Sequence, residues 1–399
     1  MASPLTDIFP TKDNRSMPAT LTMPSPATVG KSSFYRPELD VLRFFAFFAV
    51  FLFHFSRPVD LYVQHGVPRL VATAGNSLMR AGVFGVDLFF VLSAYLITEL
   101  LLREKDVYGR LDVRSFYLRR MLRIWPLYFF YIGLALIPAF NPDHGFTWRY
   151  ALAFVLLAGN WSIVAYGWPF HSIIGAMWTV SIEEQFYLFW PPVVRTLSRD
   201  RIAAAAIGML IVSNSTRVAM VAFHGGTNSV WCNTLGRLDP IAAGILVAYV
   251  LRGSIPKFGL ATRLGLLCCG TLPLALVANY WRIHEPESLE WMPTLLGFPV
   301  VAVSCTLIML AALGFSTRLP RSLLYLGKIS YGLYVYHALG NVLSNMAVPP
   351  GRTTFLALAS RPTLALAITV LLAAVSYAVL EKPFLKLKKR FAHIDSRPV

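Results

Sequence analysis

Charged residues are scarce in this chain. They make up 14% of its 399 residues, whereas hydrophobic residues supply 56%. A typical soluble domain carries roughly 25% charged residues. The composition therefore excludes a large soluble domain and predicts a protein that crosses a membrane several times.

Acidic residues are less common than basic residues. Twenty Asp and Glu face 36 Lys and Arg, which gives a formal net charge of +16. In a membrane protein this excess indicates short cytoplasmic loops and attraction to anionic lipids. The basic residues are scattered between apolar segments and form no single groove, so the pattern argues against a nucleic-acid partner.

Cysteine is also rare, and its spacing matches no metal site. The four cysteines are Cys232, Cys268, Cys269 and Cys305. Three of them lie within apolar segments, where we expect buried, small hydrophobic side chains. The histidines form no spaced ligand set either, so no metal site is expected. The chain also lacks an evident internal repeat, which weakens the case for an inverted-repeat transporter.

Long apolar runs are abundant in the sequence. They lie near 41–56, 82–102, 124–140, 149–165, 177–194, 202–222, 238–251, 264–282, 293–314, 326–346 and 363–380. A crossing helix needs about 20 residues. The strongly basic connections should face the cytoplasm, which requires an even number of crossings between consecutive ones. These connections are 103–123, 195–201, 252–263, 315–328 and the tail 381–399.

The even-number rule fails between residues 123 and 195, where three apolar segments occur, so one of them should not cross. Residues 149–176 contain Gly159, Asn160, Gly167 and Pro169, which suit a re-entrant or interfacial segment buried in protein. The predicted fold is therefore all-α, a polytopic membrane protein with about ten transmembrane helices. Both termini are predicted to be cytoplasmic.

The first apolar segment carries costly polar residues on one helical stripe. They are Arg36, Asp40, Arg43 and His54, in and around the run VLRFFAFFAVFLFHF. Arg43 and His54 are close to three helical turns apart, so both should project from the same side, about 16 Å apart along the axis. Ionisable groups at membrane depth usually line a cavity or a reaction path. We therefore expect this helix to form the wall of an active site.

Further charged residues lie in or beside later segments. Asp87 and Arg217 both fall inside apolar runs and are predicted to pair, although Arg217 also suits an anionic acceptor or a helix end. Arg120 and Arg123 are three residues apart and share a helix face near the inner membrane boundary. They fit ordinary positive-inside anchoring or a clamp for phosphates, to which arginine forks are well suited.

Two more motifs combine polar and aromatic residues. Glu183 and Glu184 lie in MWTVSIEEQFYLFWPP, and adjacent carboxylates point in different directions on a helix. We expect one to face the cavity and the other to meet a cation or the membrane interface. The run LGKISYGLYVYHALG places Ser330, Tyr334 and His337 near one face. A histidine on such an aromatic helix is more often a packing residue than a catalyst.

Six segments together resemble the membrane-bound acyltransferase 3 family. In order they are YRPELDVLRFFAFFAVFLFH, GVDLFFVLSAYLIT, RRMLRIWPLY, MWTVSIEEQFYLFWP, ISYGLYVYH and LEKPF. The resemblance implies transfer of an acyl group, commonly acetyl from acetyl-CoA, to a hydroxyl of a glycan or other acceptor. Ala94 stands where the family usually has glycine, and Thr179 where serine is frequent. Neither change removes an ionisable group.

The resemblance also implies roles for individual residues. Arg43 and His54 fall on the family's arginine–ten residues–histidine motif, Arg120 and Arg123 on its donor-linked RxxR motif, and Glu183 on its glutamate. His54 is then expected to take the proton of the acceptor hydroxyl or to carry the acyl group itself. Glu183 is expected to orient or charge-balance that imidazole, and Arg43 to stabilise the oxyanion or hold the donor. Supporting roles are expected for Asp40, Asp87, Arg217, Ser330 and His337.

The expected organisation has three parts. Residues 1–35 are rich in Ser, Thr and Pro and are expected to be a disordered cytoplasmic segment. Residues 36–384 form the membrane acyltransferase domain, and residues 385–399 form a basic cytoplasmic tail. The expected location is the bacterial inner (plasma) membrane. No tightly bound cofactor is expected: acetyl-CoA or another acyl-CoA is a co-substrate, and the partners are the lipid bilayer and a glycan or lipid-linked glycan acceptor.

Two other functions fit some of these features. Multiple spans with intramembrane Asp87, Arg217 and His54 also suit a secondary transporter of a glycan precursor or another anionic solute. Such a transporter would not consume acetyl-CoA. A non-catalytic scaffold leaves the polar stripe of the first segment unexplained.

Overall fold

A computed structural model of the chain describes residues 34–140, 146–169, 172–226, 228–285, 289–315, 319–349 and 354–391. Within these ranges the protein is all-helical, as predicted, and has no strand. The α-helices are α1 (Pro37–Phe53), α2 (Val59–Gln64), α3 (Arg69–Ala81), α4 (Gly85–Tyr108), α5 (Val113–Ala135), α6 (Trp148–Val155), α7 (Gly159–Tyr166), α8 (Trp178–Thr196), α9 (Arg199–Ala222), α10 (Asn228–Trp231), α11 (Leu238–Leu251), α12 (Leu260–Leu276), α13 (Trp291–Ala312), α14 (Arg321–Lys328), α15 (Ser330–Ala347), α16 (Phe355–Ser376) and α17 (Lys382–Lys388). Short 3₁₀ turns lie at Gly82–Phe84, Pro138–Phe140, Ile173–Met177, Leu235–Arg237 and Lys389–Phe391, and π turns at Val277–Trp281 and Tyr377–Glu381.

The predicted apolar segment near 149–165 differs from the others because it is broken into α6 and α7. Each has eight residues and spans about 12 Å, so neither crosses a hydrocarbon core of about 30 Å alone. The break falls at Leu157, whose φ of 57° is a left-handed conformation that leucine rarely adopts. Its carbonyl oxygen accepts a hydrogen bond from Gln185 Nε2 at 2.9 Å, which holds the break against α8.

Five helical stretches are long and apolar enough to cross a membrane. They are Arg69–Tyr108, Arg199–Ala222, Leu260–Trp281, Trp291–Ala312 and Leu356–Lys388. Two of the other predicted crossings are shorter: α1 has 17 residues and α11 has 14, against the roughly 20 that a crossing needs. The protein is therefore a membrane protein with several candidate spans, and the count of ten crossings with cytoplasmic termini stays a prediction.

Helix α4 lies at the centre of the bundle. It is buried along most of its apolar length, whereas the other four candidate spans expose much of theirs. It packs against α1, α8, α11 and α13. A Cβ atom at Gly244 of α11 would lie 2.4 Å from the carbonyl oxygen of Val91 on α4. The two helices therefore touch through their backbones, which is how small residues let helices pack in membranes.

The predicted pairing of Asp87 with Arg217 is wrong. Asp87 of α4 pairs with Arg237, Nη2 to Oδ1 at 2.8 Å, and Arg217 of α9 pairs with Asp239, Nη1 to Oδ2 at 2.6 Å. Arg217 also donates from Nη2 to Asp239 Oδ1 at 2.9 Å, so that pair is bidentate. The reason is the chain path: the 3₁₀ turn before α11 brings Arg237 to α4, and the start of α11 brings Asp239 to α9.

The cysteines divide into two classes. Cys232 and Cys305 are buried, as predicted, but Cys268 and Cys269 are exposed on α12. Helix α12 lies at the edge of the bundle and packs chiefly on α13, so much of its apolar surface has no protein neighbour in the described chain.

The boundaries predicted for the two end segments fall near or outside the described residues. Residues 1–33 and 392–399 lie outside them. The predicted boundary at 384 falls within α17, which packs on α5. Arg119 Nη1 donates to the Phe391 carbonyl oxygen at 2.8 Å. The first residues of the predicted tail are therefore packed against the helical bundle.

Candidate active site

Five helices, α1, α4, α5, α8 and α15, enclose one pocket. Its apolar wall includes Val86, Phe89 and Phe90 of α4. Its polar lining residues are Arg43, Ser93, Arg120, Arg123, Thr179, Glu183, Tyr187, Ser330, Tyr331 and Tyr334. Five of these ten were singled out from the sequence as candidate site residues, and the fold brings them together from four helices.

Three arginines meet in this pocket. Arg43 comes from α1, and Arg120 and Arg123 come from successive turns of α5. The Arg120 guanidinium lies 5.4 Å from the ring centroids of both Phe116 and Tyr187, a cation–π arrangement that holds it in place. Arg43 Nη1 lies 3.8 Å from Asp40 Oδ1, one helical turn back. Such a group of guanidinium forks is suited to bind a phosphate-bearing ligand.

Glu183 is the carboxylate of the pocket. Its Oε2 accepts a hydrogen bond from the Tyr187 hydroxyl at 3.2 Å, and the Tyr187 hydroxyl is also hydrogen-bonded to Ser93. Glu184 points away, as predicted for adjacent carboxylates. It accepts a hydrogen bond from the Trp125 indole, Nε1 to Oε2 at 2.9 Å, and it also interacts electrostatically with Arg120, which agrees with the expected cation.

His54 lies at the other end of α1, where it is the C-cap residue. Its side chain is exposed, and its ring stacks on His337 of α15 with centroids 5.2 Å apart and planes 29° apart. Phe53 is a further ring neighbour at 5.4 Å. The expectation that Glu183 orients this imidazole is wrong, because Glu183 bonds to Tyr187 in the arginine pocket. The residue beside the imidazole is His337.

Arg43 and His54 face the same helix. Arg43 shares its pocket with Ser330 and Tyr334 of α15, and His54 contacts His337 one turn further along α15. The predicted common side is therefore confirmed. The two residues do not line the same pocket, because Arg43 lines it whereas His54 lies outside the set of described residues that line it.

The remaining predicted supporting residues separate into two groups. Asp40 and Ser330 are at the pocket, Asp40 through Arg43 and Ser330 directly. Asp87 and Arg217 lie in the buried ion pairs described above. Both pairs lie inside the bundle, away from the described residues that line the pocket, and breaking one would leave a buried charge without its partner.

Sequence reasoning missed two hydroxyl contacts in the pocket. Tyr187 follows Glu183 by four residues, one helical turn, so helical spacing alone could have placed it there. The Thr179 hydroxyl donates to the Tyr334 hydroxyl at 2.9 Å. That contact joins α8 to α15 and has no sequence signal, because the two residues are far apart in the chain.

Comparisons with known proteins find relatives that are named as O-acetyltransferases. The protein named "Putative O-acetyltransferase SAS0844" of Staphylococcus aureus (strain MSSA476) is 25% identical over 88% of this chain and 58% of its own length. "O-acetyltransferase OatA" of Staphylococcus aureus (strain NCTC 8325 / PS 47) is 26% identical over 91% of this chain and 59% of its own length. The chain thus spans less than two thirds of the length of these relatives. No solved structure matches it significantly.

The family comparison covers the whole of the pocket. Residues 36–381 match the model described as the acyltransferase domain of the acyltransferase 3 family. This range includes α1 to α16 and every pocket residue named above. The chain therefore belongs to the acyltransferase 3 family.

Proposed function

We propose that this chain is a membrane O-acyltransferase that moves an acetyl group from acetyl-CoA to a hydroxyl of a cell-surface carbohydrate or glycosylated metabolite. The observation that carries the proposal is the convergence of Arg43, Arg120 and Arg123 in one pocket, together with exposed His54 at the end of the helix that carries Arg43. The relatives named as O-acetyltransferases support the type of reaction.

The donor binds at the arginine pocket. Coenzyme A carries several phosphates, and arginine forks bind phosphate oxygens through paired hydrogen bonds. Arg120 and Arg123 are the phosphate clamp, on the cytoplasmic side. Glu183 balances part of the positive charge and, through Tyr187 and Ser93, keeps the pocket wall in place.

Arg43 holds the donor and does not stabilise the oxyanion. Arg43 and His54 lie about 16 Å apart along α1. A thioester carbonyl that reacts at His54 is therefore too far from Arg43 to contact it. The long pantetheine arm of coenzyme A covers this distance. The thioester then reaches the outer end of α1, while the phosphates stay with the arginines.

His54 performs the transfer. As base, it takes the proton of the acceptor hydroxyl while the hydroxyl oxygen attacks the thioester carbonyl. The new C–O bond forms, the C–S bond breaks, and the imidazolium returns the proton to the leaving thiolate. In the relay version the imidazole attacks the thioester carbonyl and the C–S bond breaks, so coenzyme A leaves as a thiol that carries the imidazole proton. The acceptor hydroxyl then attacks the acetyl group on the imidazole, the C–N bond breaks, and the hydroxyl proton returns to the ring. Both routes need a neutral, accessible imidazole at the end of α1.

The proposed location is the bacterial inner membrane. With ten crossings and cytoplasmic termini, α1 starts at the cytoplasmic side and presents His54 at the opposite side. A cytoplasmic acyl-CoA and an extracytoplasmic glycan then approach the two ends of one helix.

The test compares wild type with His54→Ala. In the host lacking the gene, envelope material from cells carrying wild type should release acetate on mild base treatment, and His54→Ala should lower this by about 10²- to 10⁴-fold. Purified wild type should also consume labelled acetyl-CoA when envelope glycan is supplied as the acceptor. The control is His224→Asn, an exposed histidine with a φ of 50° that asparagine tolerates. Normal transfer by folded His54→Ala would overturn the role of His54, and absence of acetyl-CoA consumption by wild type would favour a transporter.

A further inference from the structure

The imidazole of His54 rests on a second histidine that the proposed reaction does not use. The rings of His54 and His337 are stacked at 5.2 Å. They differ in environment: His54 is exposed, whereas His337 is only 3% exposed. A ring at the end of a helix has a broad χ2 torsion when nothing packs on it. The buried ring therefore restricts the orientation of the exposed one.

His337 is itself held from two sides. Its Nδ1 lies 2.5 Å from the Tyr334 carbonyl oxygen, one turn back on α15. A carbonyl oxygen only accepts, so Nδ1 carries a hydrogen and donates it. The Phe47 ring meets His337 edge-on at 6.4 Å. Phe47 lies two turns before His54 on α1, so one face of α1 both supports His337 and carries the imidazole that His337 orients.

Helix α15, which carries His337, also reaches the arginine pocket. Tyr334 lines the pocket with its hydroxyl bonded to Thr179 at 2.9 Å, and its ring lies 5.3 Å from that of His337. Phe89 of the pocket wall packs edge-on against Tyr334 at 5.6 Å. A continuous set of packed rings therefore runs from the pocket through Tyr334 and His337 to His54.

We infer that His337 is the positioning residue of His54: a ring fixed by the Tyr334 carbonyl and by Phe47, on whose face the reactive imidazole is held towards the incoming thioester. The inference rests on the proposed role of His54. It assigns His337 a function beyond filling space in an aromatic helix, because the ring it touches is the exposed imidazole at the proposed reaction centre.

The variants His337→Phe and His337→Ala separate positioning from other roles. Phenylalanine keeps a flat ring between Phe47 and His54. It leaves no unpaired acceptor, because the Tyr334 carbonyl inside α15 keeps its helical hydrogen bond. Alanine removes the ring. Misplacing a reacting group by about 1 Å can cost about 10²-fold in rate, so His337→Ala should lower envelope acetate by about that factor. His337→Phe should recover at least a tenth of the wild-type level.

Donor affinity provides the second measurement. Equilibrium binding of labelled coenzyme A to purified protein should be unchanged within about twofold in both variants, because His337 lies outside the arginine pocket. Loss of transfer with intact coenzyme A binding excludes misfolding, which would lower both. Full transfer by His337→Ala, or a His337→Phe variant as inactive as His337→Ala, would overturn the inference. If His54→Ala also retained transfer, the proposed function would fail as well; if only the His337 variants behaved like wild type, this inference alone would fail.

Discussion

Removing one arginine of the clamp should weaken donor binding by a predictable amount. A hydrogen bond to a charged group contributes about 1.5–3 kcal/mol, and 1.4 kcal/mol corresponds to a factor of ten in Kd. Arg120→Gln and Arg123→Gln should therefore each raise the Kd for coenzyme A by about 10- to 100-fold. Arg120 should lie towards the upper end, because its guanidinium is already held by Phe116 and Tyr187 at 5.4 Å and loses little freedom on binding.

The assay is equilibrium binding of labelled coenzyme A to the purified protein in lipid nanodiscs. The matched control is Arg114→Gln, which removes the same charge from an exposed position of the same helix, outside the pocket. This variant should change Kd by less than about twofold, since Arg114 is exposed and about 9 Å from Arg120 along the helix axis, a separation at which salt screens much of the interaction. Unchanged affinity in both single clamp variants would refute the assignment of α5 as the phosphate site.

Two further predictions concern the stability of the bundle. Arg217→Met leaves the buried Asp239 carboxylate without its cation and should cost about 3–5 kcal/mol; adding Asp239→Leu should recover most of that in thermal unfolding of the purified protein, and recovery by Asp87→Leu instead would contradict the observed pairing. Gly244→Ala places a methyl group 2.4 Å from the Val91 carbonyl oxygen and should force α4 and α11 apart, lowering the yield of monodisperse protein. Gly265→Ala, where nothing lies within 4 Å of the added atom, is its control and should be neutral or slightly stabilising; equal behaviour of the two variants would contradict the close packing.

Most of the helical architecture could be predicted because hydrophobic runs are a local property. The stretch that contains α4 is apolar, with Asp87 and Glu99 as its only charged residues over 81–102, and it is the most buried of the candidate spans. A re-entrant or interfacial segment was predicted at 149–176 from Gly159, Asn160 and Gly167, and the structure breaks the helix of that segment at Leu157. The convergence of Arg120 with Arg123 needed only their spacing of three residues on one helix.

The partners of the charged side chains were harder to predict, because pairing depends on which helices pack together. Arg217 and Arg237 are both buried, and either could in principle pair with Asp87. The packing of helices around α4 places Arg237 beside it. Glu183 was expected at His54, yet the rotation of α8 turns it to Tyr187 and the arginines. Whether a segment forms a helix depends on a short window of residues, whereas the rotation and neighbours of that helix depend on the packing of the whole bundle.

Helix α1 shows both what the sequence determines and what the packing of the bundle determines. Helical spacing alone put Arg43 and His54 on one side and about 16 Å apart, because 3.6 residues per turn is a property of the backbone. The difference between Arg43 in the arginine pocket and His54 with an exposed imidazole came from α5, α8 and α15, which close around Arg43 and leave the end of α1 open. No local pattern contains that difference, since it arises from contacts between residues hundreds of positions apart.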